Sequence, residues 1–293
     1  MQLLQIYQHI VKFGIASDPR KGKSKIKGYA DTAVLYGAAH TEVKKILVGI
    51  DIEIGEILLA ERIKASDGLD LVIAHHPEGG ALAIFYEVMR LQIDLLKDAG
   101  IKEEVARQFL EERLDEVRRR LLPANHMRTV DAARLLDIPL MCVHTPADNH
   151  VSAYIDNLFK LKHPKKVKDI LYLLKAISEY QISAKESHVE PRLLLGNENR
   201  NTGKIFIEMT GGTEGHKEVY EKLYKKGIRT LVCMHMSEEH FKKVRDIGMN
   251  VIIASHISSD NLGLNLILDK LEAASGSEFL TLTCSGFRRI RRN

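Results

Sequence analysis

The chain has 293 residues, 45% of them hydrophobic, and its 43 basic and 39 acidic residues leave a net charge of only +4. This length and composition allow a large buried core in one or two domains. The small net charge does not support nucleic-acid binding, which usually needs a concentrated basic face. One basic cluster, Arg288 to Arg292, is typical of a solvated tail, with an anion-binding or subunit-contact tail as the alternative.

The cysteines and the apolar runs indicate a reducing compartment. Cys142, Cys233 and Cys284 are widely spaced and form no Cys-x-x-Cys pair, which argues against a disulfide framework or a thiolate zinc site. No apolar stretch reaches 18 residues, and the first residues lack a secretory signal pattern. We therefore expect a cytoplasmic protein without a membrane partner.

Helices and strands alternate through the first half of the chain. Apolar residues at helical spacing, such as Leu3, Ile6 and Ile10, predict helices, and short apolar runs predict buried strands. The elements predicted in this half are helix 2–13, strand 45–51, helix 53–65, strand 71–74, helix 81–98, helix 102–121, strand 139–143 and helix 149–161.

The alternation continues in the second half and indicates an α/β fold. The elements predicted there are helix 170–180, a weakly patterned stretch over 181–203, strand 204–209, a helix ending at 226, strand 229–234, helix 237–247, strand 250–254, helix 262–274 and strand 279–284. We expect two α/β lobes with mixed sheets, an N-terminal lobe over residues 1–160 and a C-terminal lobe over residues 161–293.

The most informative stretch is the pair His75-His76, which follows the apolar run Leu71–Ala74 and precedes Pro77. Both histidines therefore lie at the carboxyl end of a buried strand, where open α/β sheets bind their ligands. Neighbouring strand residues point to opposite sides. The pair thus suits two ligand directions, as two nearby metal ions would need.

Two further strand ends each carry a histidine and an aspartate four residues apart. His144 and Asp148 follow strand 139–143, and His256 and Asp260 follow strand 250–254. On a helical turn, this spacing places both side chains on one face. Each aspartate could instead be the N-cap of the helix that follows.

These residues together make a ligand set of imidazoles and carboxylates without a thiolate. Such a set suits Zn, Mn, Fe or Co better than Mg or Ca, which prefer oxygen ligands. A lone histidine at a strand end is usually structural, so the inference depends on three strand ends acting together. The sequence predicts a site for two divalent metal ions in a cleft at the carboxyl ends of the strands.

The motifs resemble those of the NGG-one-interacting-factor-three-like (NIF-three-like) dinuclear-metal proteins, a family also described as type 2 GTP cyclohydrolase I. The resemblance lies in His-His-Pro after an apolar strand, His-Thr-x-x-Asp in mid-chain, and a C-terminal His-x-x-x-acid motif before a helix. It extends from about Val43 to Leu271 with the motif order kept.

The resemblance implies a role for each matching residue. His75 and His76 would each bind one of two metal ions, and Asp148 would bridge both ions. His256 would bind one ion, and Asp260 would complete the site.

Two other residues are candidates for catalysis. His144 is expected to support a ligand or contact the substrate, and His144 or Glu78 would carry protons. Glu78 could instead be a solvated carboxylate.

Three departures from the family pattern stand out. Asp260 occupies a position where the family has Glu, and Glu78 one where it usually has an apolar residue. Met234-His235-Met236 replaces a Gly-Asp or Gly-Glu turn.

Other polar residues receive no definite role from the sequence. The turn Gly211–Gly215 could present backbone N–H groups to a phosphate or be an ordinary tight turn. His150, His235 and His240 could line the same cleft or be ordinary hydrogen-bonding residues.

Two functions fit these features. The first is a metal-dependent hydrolase that acts on a nucleotide or phosphate-bearing small molecule through a metal-bridging hydroxide. The second is a non-catalytic metal-binding scaffold or protein-interaction protein. The resemblance also implies a homo-oligomer, a hexamer.

Overall fold

Two β-sheets with helices on their faces organise the protein in a computed structural model that describes residues 1–292. The strands of this part of the chain are β1 (Ala33–Tyr36), β2 (Lys45–Gly49), β3 (Leu71–Ala74), β4 (Leu140–Cys142), β5 (Arg192–Leu195), β6 (Lys204–Glu208), β7 (Ile228–Cys233), β8 (Asn250–Ile253) and β9 (Leu280–Thr283). The α-helices are α1 (Leu3–Ser17), α2 (Ile54–Asp67), α3 (Gly79–Ala83), α4 (Leu91–Asp98), α5 (Glu103–Leu121), α6 (Arg128–Leu135), α7 (Thr145–Lys162), α8 (Val167–Lys175), α9 (Ser178–Glu186), α10 (Val219–Lys225), α11 (Glu238–Ile247) and α12 (His256–Ser275).

The first sheet has five strands in the order β1-β4-β3-β2-β9. Its strands are parallel except β1, which pairs antiparallel with β4 and carries a bulge between Val34 and Tyr36. Helices α1, α7 and α12 cover one face of this sheet, and α2 and α6 cover the other. Strands β2 and β3 are buried throughout, as their continuous apolar runs predict.

The second sheet has four strands in the order β5-β8-β7-β6, and its edge strand β5 is antiparallel and bulged between Leu193 and Leu195. Helices α7 and α12 also pack against this sheet, with residues such as Ile155 and Leu262 in its core. These two helices therefore lie between the sheets. Their first turns reach the carboxyl ends of the strands, which is where the predicted site residues lie.

The chain exchanges elements between the two sheets. Helices α4 and α5 follow β3 of the first sheet but pack on the second, in a core with α10, α11 and β7. Conversely, the last strand, β9, pairs with β2 of the first sheet. The mixed α/β architecture with two mixed sheets is confirmed. The division at residue 160 stays a prediction, although β9 pairs in the sheet of the N-terminal half.

Several predicted elements differ from the observed ones. The helix over 81–98 is broken at Ile84, and a 3-10 stretch over Phe85–Arg90 separates α3 from α4. The helix over 170–180 is two helices, α8 and α9, and the weakly patterned stretch contains β5. The long charged helix over 102–121 is confirmed as α5. Helix α6 and strand β1 have no counterpart in the prediction.

The basic C-terminal cluster is not a solvated tail. Arg289 lies 2.6 Å from Asp269 and 2.8 Å from Glu272, and Arg292 pairs with the buried Glu179. The expectation of a solvated tail is therefore wrong, because acidic residues of α9 and α12 hold these guanidinium groups against the protein. In the part of the chain described here, we find no helix long and apolar enough to cross a membrane.

Candidate metal centre

The structure brings together the five residues predicted as metal ligands, and His144 joins them. We call this set the His/Asp cluster; its members are His75, His76, His144, Asp148, His256 and Asp260. Their donor atoms form three overlapping groups in which all the atoms lie within 4.8 Å of one another. These groups are His75, His76 and His144; His76, His256 and Asp260; and His75, Asp148 and Asp260.

His75 is held rigidly at the end of β3. Its backbone N–H donates to the carbonyls of Gly49 and Ile50, and its ring Nδ1 lies 3.0 Å from the carbonyl oxygen of Val143. Nδ1 therefore carries the hydrogen, and the acceptor Nε2 faces the cluster. Burial lowers the pKa of His75 to about 4, which keeps the imidazole in the neutral form that binds metal ions.

His76 points to the other side of the strand end, where it is partly exposed. Its Nδ1 lies 2.6 Å from a carboxylate oxygen of Asp51, just after β2. This hydrogen bond orients the ring so that Nε2 faces Asp260 at 3.7 Å. A carboxylate behind a histidine is the arrangement that commonly fixes the tautomer of a metal ligand.

The first turn of α7 holds His144 and Asp148 on one face, as the spacing predicts. His144 is the N-cap residue and Asp148 lies one turn into the helix, so the N-cap alternative for Asp148 is wrong. His144 donates from Nδ1 to Asp31 at 2.8 Å, and the hydroxyl of Thr145 donates to the same carboxylate. Although burial opposes the charged ring, Asp148 and Asp31 raise the pKa of His144.

The first turn of α12 holds His256 and Asp260 in the same way. Ser255 is the N-cap, with a φ of +82° that is unusual for a residue other than glycine. The N-cap alternative for Asp260 is therefore wrong as well. One oxygen of Asp260 lies 3.4 Å from Nε2 of His75, and the other lies 3.7 Å from Nε2 of both His76 and His256. The carboxylate of Asp260 thus lies between the rings of His75 and His76, which point to different sides of the strand end.

A close helix crossing brings the two aspartates together. A Cβ at Gly263 of α12 would lie 2.6 Å from the carbonyl oxygen of Ala147 in α7. Only glycine fits at such a separation, and Ala147 is itself small. Because Asp148 follows Ala147 and Asp260 lies one turn before Gly263, this crossing sets the separation of the two carboxylates.

Four buried donor atoms in the cluster have no hydrogen-bond partner among residues 1–292. They are Nε2 of His75, Oδ1 of Asp148 and both carboxylate oxygens of Asp260. Burial raises the pKa of Asp148, whereas at Asp260 the imidazoles of His75, His256 and His76 outweigh burial and lower the pKa to about 2. Unpartnered buried polar atoms are costly, and atoms of this type fit the coordination of cations.

Residues that follow β6 and β7 of the second sheet share a cleft with the cluster. The cleft is lined by His144, Asp148 and His256 together with residues that include Gly212, Thr213, Glu214 and His235. The Gly211–Gly215 turn therefore faces the cluster. Its carbonyls at Gly211 and Thr213 each accept a hydrogen bond of 2.8 Å from the side-chain amide of Gln92.

His150, His235 and His240, which received no definite role from the sequence, have different surroundings in the structure. The ring of His235 lies 5.0 Å from that of His256 and lines the cleft. His240 donates from Nε2 to the carbonyl of Gly215, and His150 donates from Nδ1 to the carbonyl of Pro146. The last two are thus hydrogen-bonded residues of the scaffold.

Glu78 takes no part in the three donor groups. It is the residue before α3, is half-buried, and lies near Thr129 of α6. Burial raises the pKa of Glu78. Its role in proton transfer stays a prediction.

The sequence reasoning missed two carboxylates that support the cluster. Asp51 ends the predicted strand 45–51, which precedes the strand that leads to His75 and His76. The sequence therefore contained a signal for it, a carboxylate at a strand end. Asp31 precedes β1, in the region where the family motifs do not extend. Each holds one histidine of the cluster by Nδ1.

Comparison with solved structures shows what this architecture resembles. A NIF3 superfamily protein from Sphaerobacter thermophilus superposes with a TM-score of 0.77 and 27% sequence identity, over 94% of this chain and 97% of that chain. The chain has the NIF3-superfamily fold. The family resemblance predicted from the motif order is therefore confirmed.

More distant structures share the NIF3 fold with lower identity. Reduced HcgD from Methanocaldococcus jannaschii has a TM-score of 0.54 and 17% identity, over 96% of this chain and 98% of that chain. TTHA1606 from Thermus thermophilus has a TM-score of 0.51 and 16% identity, with the same coverage. No family model and no curated protein matches the sequence.

Proposed function

We propose that the His/Asp cluster is a dinuclear metal centre of a metal-dependent hydrolase. The observation that carries this proposal is the set of four buried, unpartnered donor atoms of His75, Asp148 and Asp260. Without a cation, these atoms would lose their hydrogen bonds to water on folding and gain no hydrogen bond in return. The donor set contains nitrogen and oxygen but no thiolate, so we propose Zn, Mn, Fe or Co as the ions.

The three donor groups suggest how two ions would be held. One ion would lie among His75, Asp148 and Asp260, and the other among His76, His256 and Asp260. Asp260 belongs to both groups, and its two oxygens face different histidines, so we propose Asp260 as a bridging carboxylate. The resemblance alone implies this role for Asp148.

His144 fits a ligand role as well as the proton-carrying role expected from the sequence. Its Nδ1 is bound to Asp31, which leaves Nε2 toward His75 and His76. An imidazole fixed by a carboxylate at one nitrogen is well suited to bind a cation at the other.

Two divalent ions, when bound, would activate a water molecule and stabilise charge on an attacked centre, which is the chemistry of hydrolysis. His76 and His256 are partly exposed, and His256 lines the cleft, so a substrate can reach this side of the cluster. The resemblance supports a nucleotide or another phosphate-bearing small molecule, with type 2 GTP cyclohydrolase chemistry as the specific case.

Metal analysis of the purified protein tests the centre. We expect the wild type to contain up to two ions per chain, and His75→Ala and Asp148→Ala to lose most of them. His150→Ala is the matched control, because His150 is a buried histidine of α7 that lies outside the three donor groups. Unchanged metal content in both cluster variants would contradict the proposal.

Activity tests separate the enzyme from its alternative. Protein loaded in turn with Zn, Mn, Fe and Co should hydrolyse at least one member of a panel of nucleotides and phosphoesters. Full metal occupancy without turnover on the whole panel would favour the second function, a metal-binding scaffold or interaction protein.

A further inference from the structure

The turn Gly211–Gly215, which follows β6, is held by one side chain of α4. The side-chain amide of Gln92 donates one hydrogen bond of 2.8 Å to the carbonyl of Gly211 and another of 2.8 Å to that of Thr213. Gln92 is only 8% exposed. Both hydrogens of one buried amide therefore fix two carbonyls of the turn towards α4.

Two further buried side chains hold other carbonyls of the turn. Nε of Arg113 in α5 donates to the carbonyl of Glu214 at 3.0 Å, and Nε2 of His240 in α11 donates to that of Gly215 at 2.9 Å. Arg113 and His240 are both buried. Most carbonyls of the turn are thus satisfied by side chains of the surrounding helices, which fixes its backbone.

The backbone N–H groups of the same turn make no hydrogen bond in the described part of the chain, from Gly211 through Glu214. In a trans peptide unit, the C=O group and the N–H group that follows it point in opposite directions. The carbonyl of Gly211 points to Gln92, so the N–H of Gly212 points away from it. The carbonyl of Thr213 also points to Gln92, so the N–H of Glu214 points away as well.

The side of the turn away from Gln92 is the side of the metal centre. Gly212, Thr213 and Glu214 line the cleft together with three members of the His/Asp cluster, and Gln92 is not among the lining residues. The N–H groups of Gly212 and Glu214 therefore point into the cleft. Neighbouring N–H groups with a common direction are a binding site for the oxygens of a phosphate, because each donates a charge-assisted hydrogen bond.

Two glycines allow this course of the backbone. Gly211 and Gly212 have φ angles of +97° and +81°, in the left-handed region that other residues rarely adopt. A Cβ at Gly211 would also lie only 3.0 Å from Cγ of Gln92. Glycine at both positions therefore lets the chain turn sharply enough for two carbonyls to reach the same amide.

The carboxylate of Glu214 is engaged at the start of α11. It accepts a hydrogen bond from the backbone N–H of Ser237, the N-cap residue of this helix, and lies 3.5 Å from Nδ1 of His240. The positive end of the helix dipole offsets its negative charge. Glu214 therefore opposes an anion in the cleft less than a free carboxylate would.

We propose that the Gly211–Gly215 turn binds the phosphate group of the substrate through the backbone N–H groups of Gly212 and Glu214. Gln92 is a positioning residue, since it acts on the turn and not on the ligand. The inference rests on the proposed function for the presence of a substrate in this cleft, and it names the class of that substrate as a phosphate monoester. The turn supplies the binding groups for the phosphate beside the proposed ions.

Phosphorus NMR of inorganic phosphate tests the turn in protein that holds no ion. The background is Asp148→Asn with Asp260→Asn, treated with a chelator, which removes the proposed ion sites and two negative charges from the cleft. We expect this protein to broaden the phosphate resonance, with a Kd in the millimolar range. Gln92→Leu in the same background should weaken binding about tenfold or more, because two carbonyls of the turn lose their donor. Gln108→Leu, at an exposed glutamine of α5, is the matched control and should leave binding unchanged.

Failure of this inference differs from failure of the proposed metal centre. Metal-free wild type together with phosphate binding that depends on Gln92 would overturn the metal centre and support the phosphate site. Phosphate that does not bind the background, or that binds a folded Gln92→Leu variant equally well, would overturn the phosphate site whatever the metal content. Circular dichroism shows whether the variant is folded.

Tungstate locates the anion without a substitution at the turn. It is a tetrahedral oxyanion whose anomalous scattering marks its place in a crystal of the chelator-treated background protein. We expect tungstate oxygens roughly 3 Å from the backbone nitrogens of Gly212 and Glu214. This measurement decides the question if Gln92→Leu does not fold, and tungstate bound only elsewhere, or not at all, would overturn the proposal.

Competition identifies the phosphate monoester as the ligand. In the same background, at least one nucleoside monophosphate should displace inorganic phosphate, and the corresponding nucleoside should not. Equal displacement by the nucleoside would show that the cleft recognises the ring instead of the phosphate. Displacement by no monoester would limit the turn to free phosphate. Either result would overturn the assignment of the turn to the substrate.

Discussion

The two sheets repeat one design but end their strands differently. In each, an antiparallel, bulged edge strand adjoins a run of parallel strands. The edge strand is β1 beside four parallel strands in the first sheet and β5 beside three in the second. By position, β4 therefore corresponds to β8, and β3 to β7. The strand after the bulged edge leads in both cases into a long helix, α7 or α12, that begins with a histidine–aspartate turn.

The difference lies at the ends of β3 and β7. Strand β3 ends in His75-His76, whereas β7 is followed by Met234-His235. Both halves thus contribute a His-x-x-x-Asp turn, and only the first contributes a histidine pair. Four of the six cluster residues therefore follow strands of the first sheet, and two follow a strand of the second.

Two strand segments that look alike in sequence do not occupy corresponding positions in the two sheets. The runs Leu71–His76 and Val251–His256 look alike in sequence, but β8 occupies the position of β4 and not that of β3. The likeness arises because both are buried parallel strands of similar composition.

The largest expected effect on metal binding comes from substitution of the two corresponding aspartates, Asp148 and Asp260. Asp260→Asn should weaken metal binding on the order of a thousandfold, because Asp260 belongs to both proposed ion sites, and Asp148→Asn should weaken it on the order of a hundredfold. Metal titration under a competing chelator measures both. Equal losses would mean that the carboxylates are equivalent and that Asp260 does not bridge.

The next largest effect concerns His76 and His235, which follow the corresponding strands β3 and β7. His76→Ala should weaken metal binding on the order of a hundredfold, since this ring belongs to two donor groups. His235→Ala should change it less than about threefold, since His235 takes part in none of the three groups. A large loss in His235→Ala would show that β7 contributes a ligand after all.

Glu208 at the end of β6 should make stability depend on pH. Burial raises its pKa to about 7, above the value of 4.5 expected in the unfolded chain. The unfolded state therefore releases this proton first, and the wild type should lose stability as pH rises from 4.5 through 7, by about 1 kcal/mol per pH unit at most. Glu208→Gln should lack this loss, and urea unfolding at several pH values measures the difference. Parallel curves for the two proteins would contradict the prediction.

The smallest effect concerns the supporting carboxylates. Asp51→Asn should weaken metal binding about tenfold, because Asp51 orients His76 by a hydrogen bond of 2.6 Å. Glu214, whose carboxylate lies 4.0 Å from His235, holds the corresponding place in the second half. Glu214→Gln should leave metal affinity unchanged. A larger loss of metal affinity in Glu214→Gln than in Asp51→Asn would contradict the prediction.

The sequence was sufficient to predict the elements with strong apolar patterns and the residues of the His/Asp cluster. The buried strands β3 and β8 and the i, i+4 spacing of histidine and aspartate led directly to residues that the fold brings together. The predicted start of α12 at Leu262 is about two turns late, because the first turns of this helix are polar. Side chains here hydrogen-bond to one another, as the hydroxyls of Ser255 and Ser258 do. The residue types are therefore those that the site needs, and they do not form the apolar stripe that marks a helix.

Tertiary packing decided what the local pattern did not show. The edge strands β1 and β5 are only partly buried, so their composition gives a weak strand signal. Asp31 could be assigned only from the fold, because it meets His144 across more than a hundred residues of chain. The close crossing at Gly263 likewise depends on which helix α12 meets.

The exchange of elements between the sheets has a consequence for biosynthesis. The first sheet lacks its β9 strand until β9 has left the ribosome, and the cluster lacks His256 and Asp260 until the start of α12 has done so. Domains usually fold as they emerge, from the N-terminus onward. Here the histidine pair that follows β3 must wait for the start of α12, so the His/Asp cluster is complete only once that helix has been synthesised.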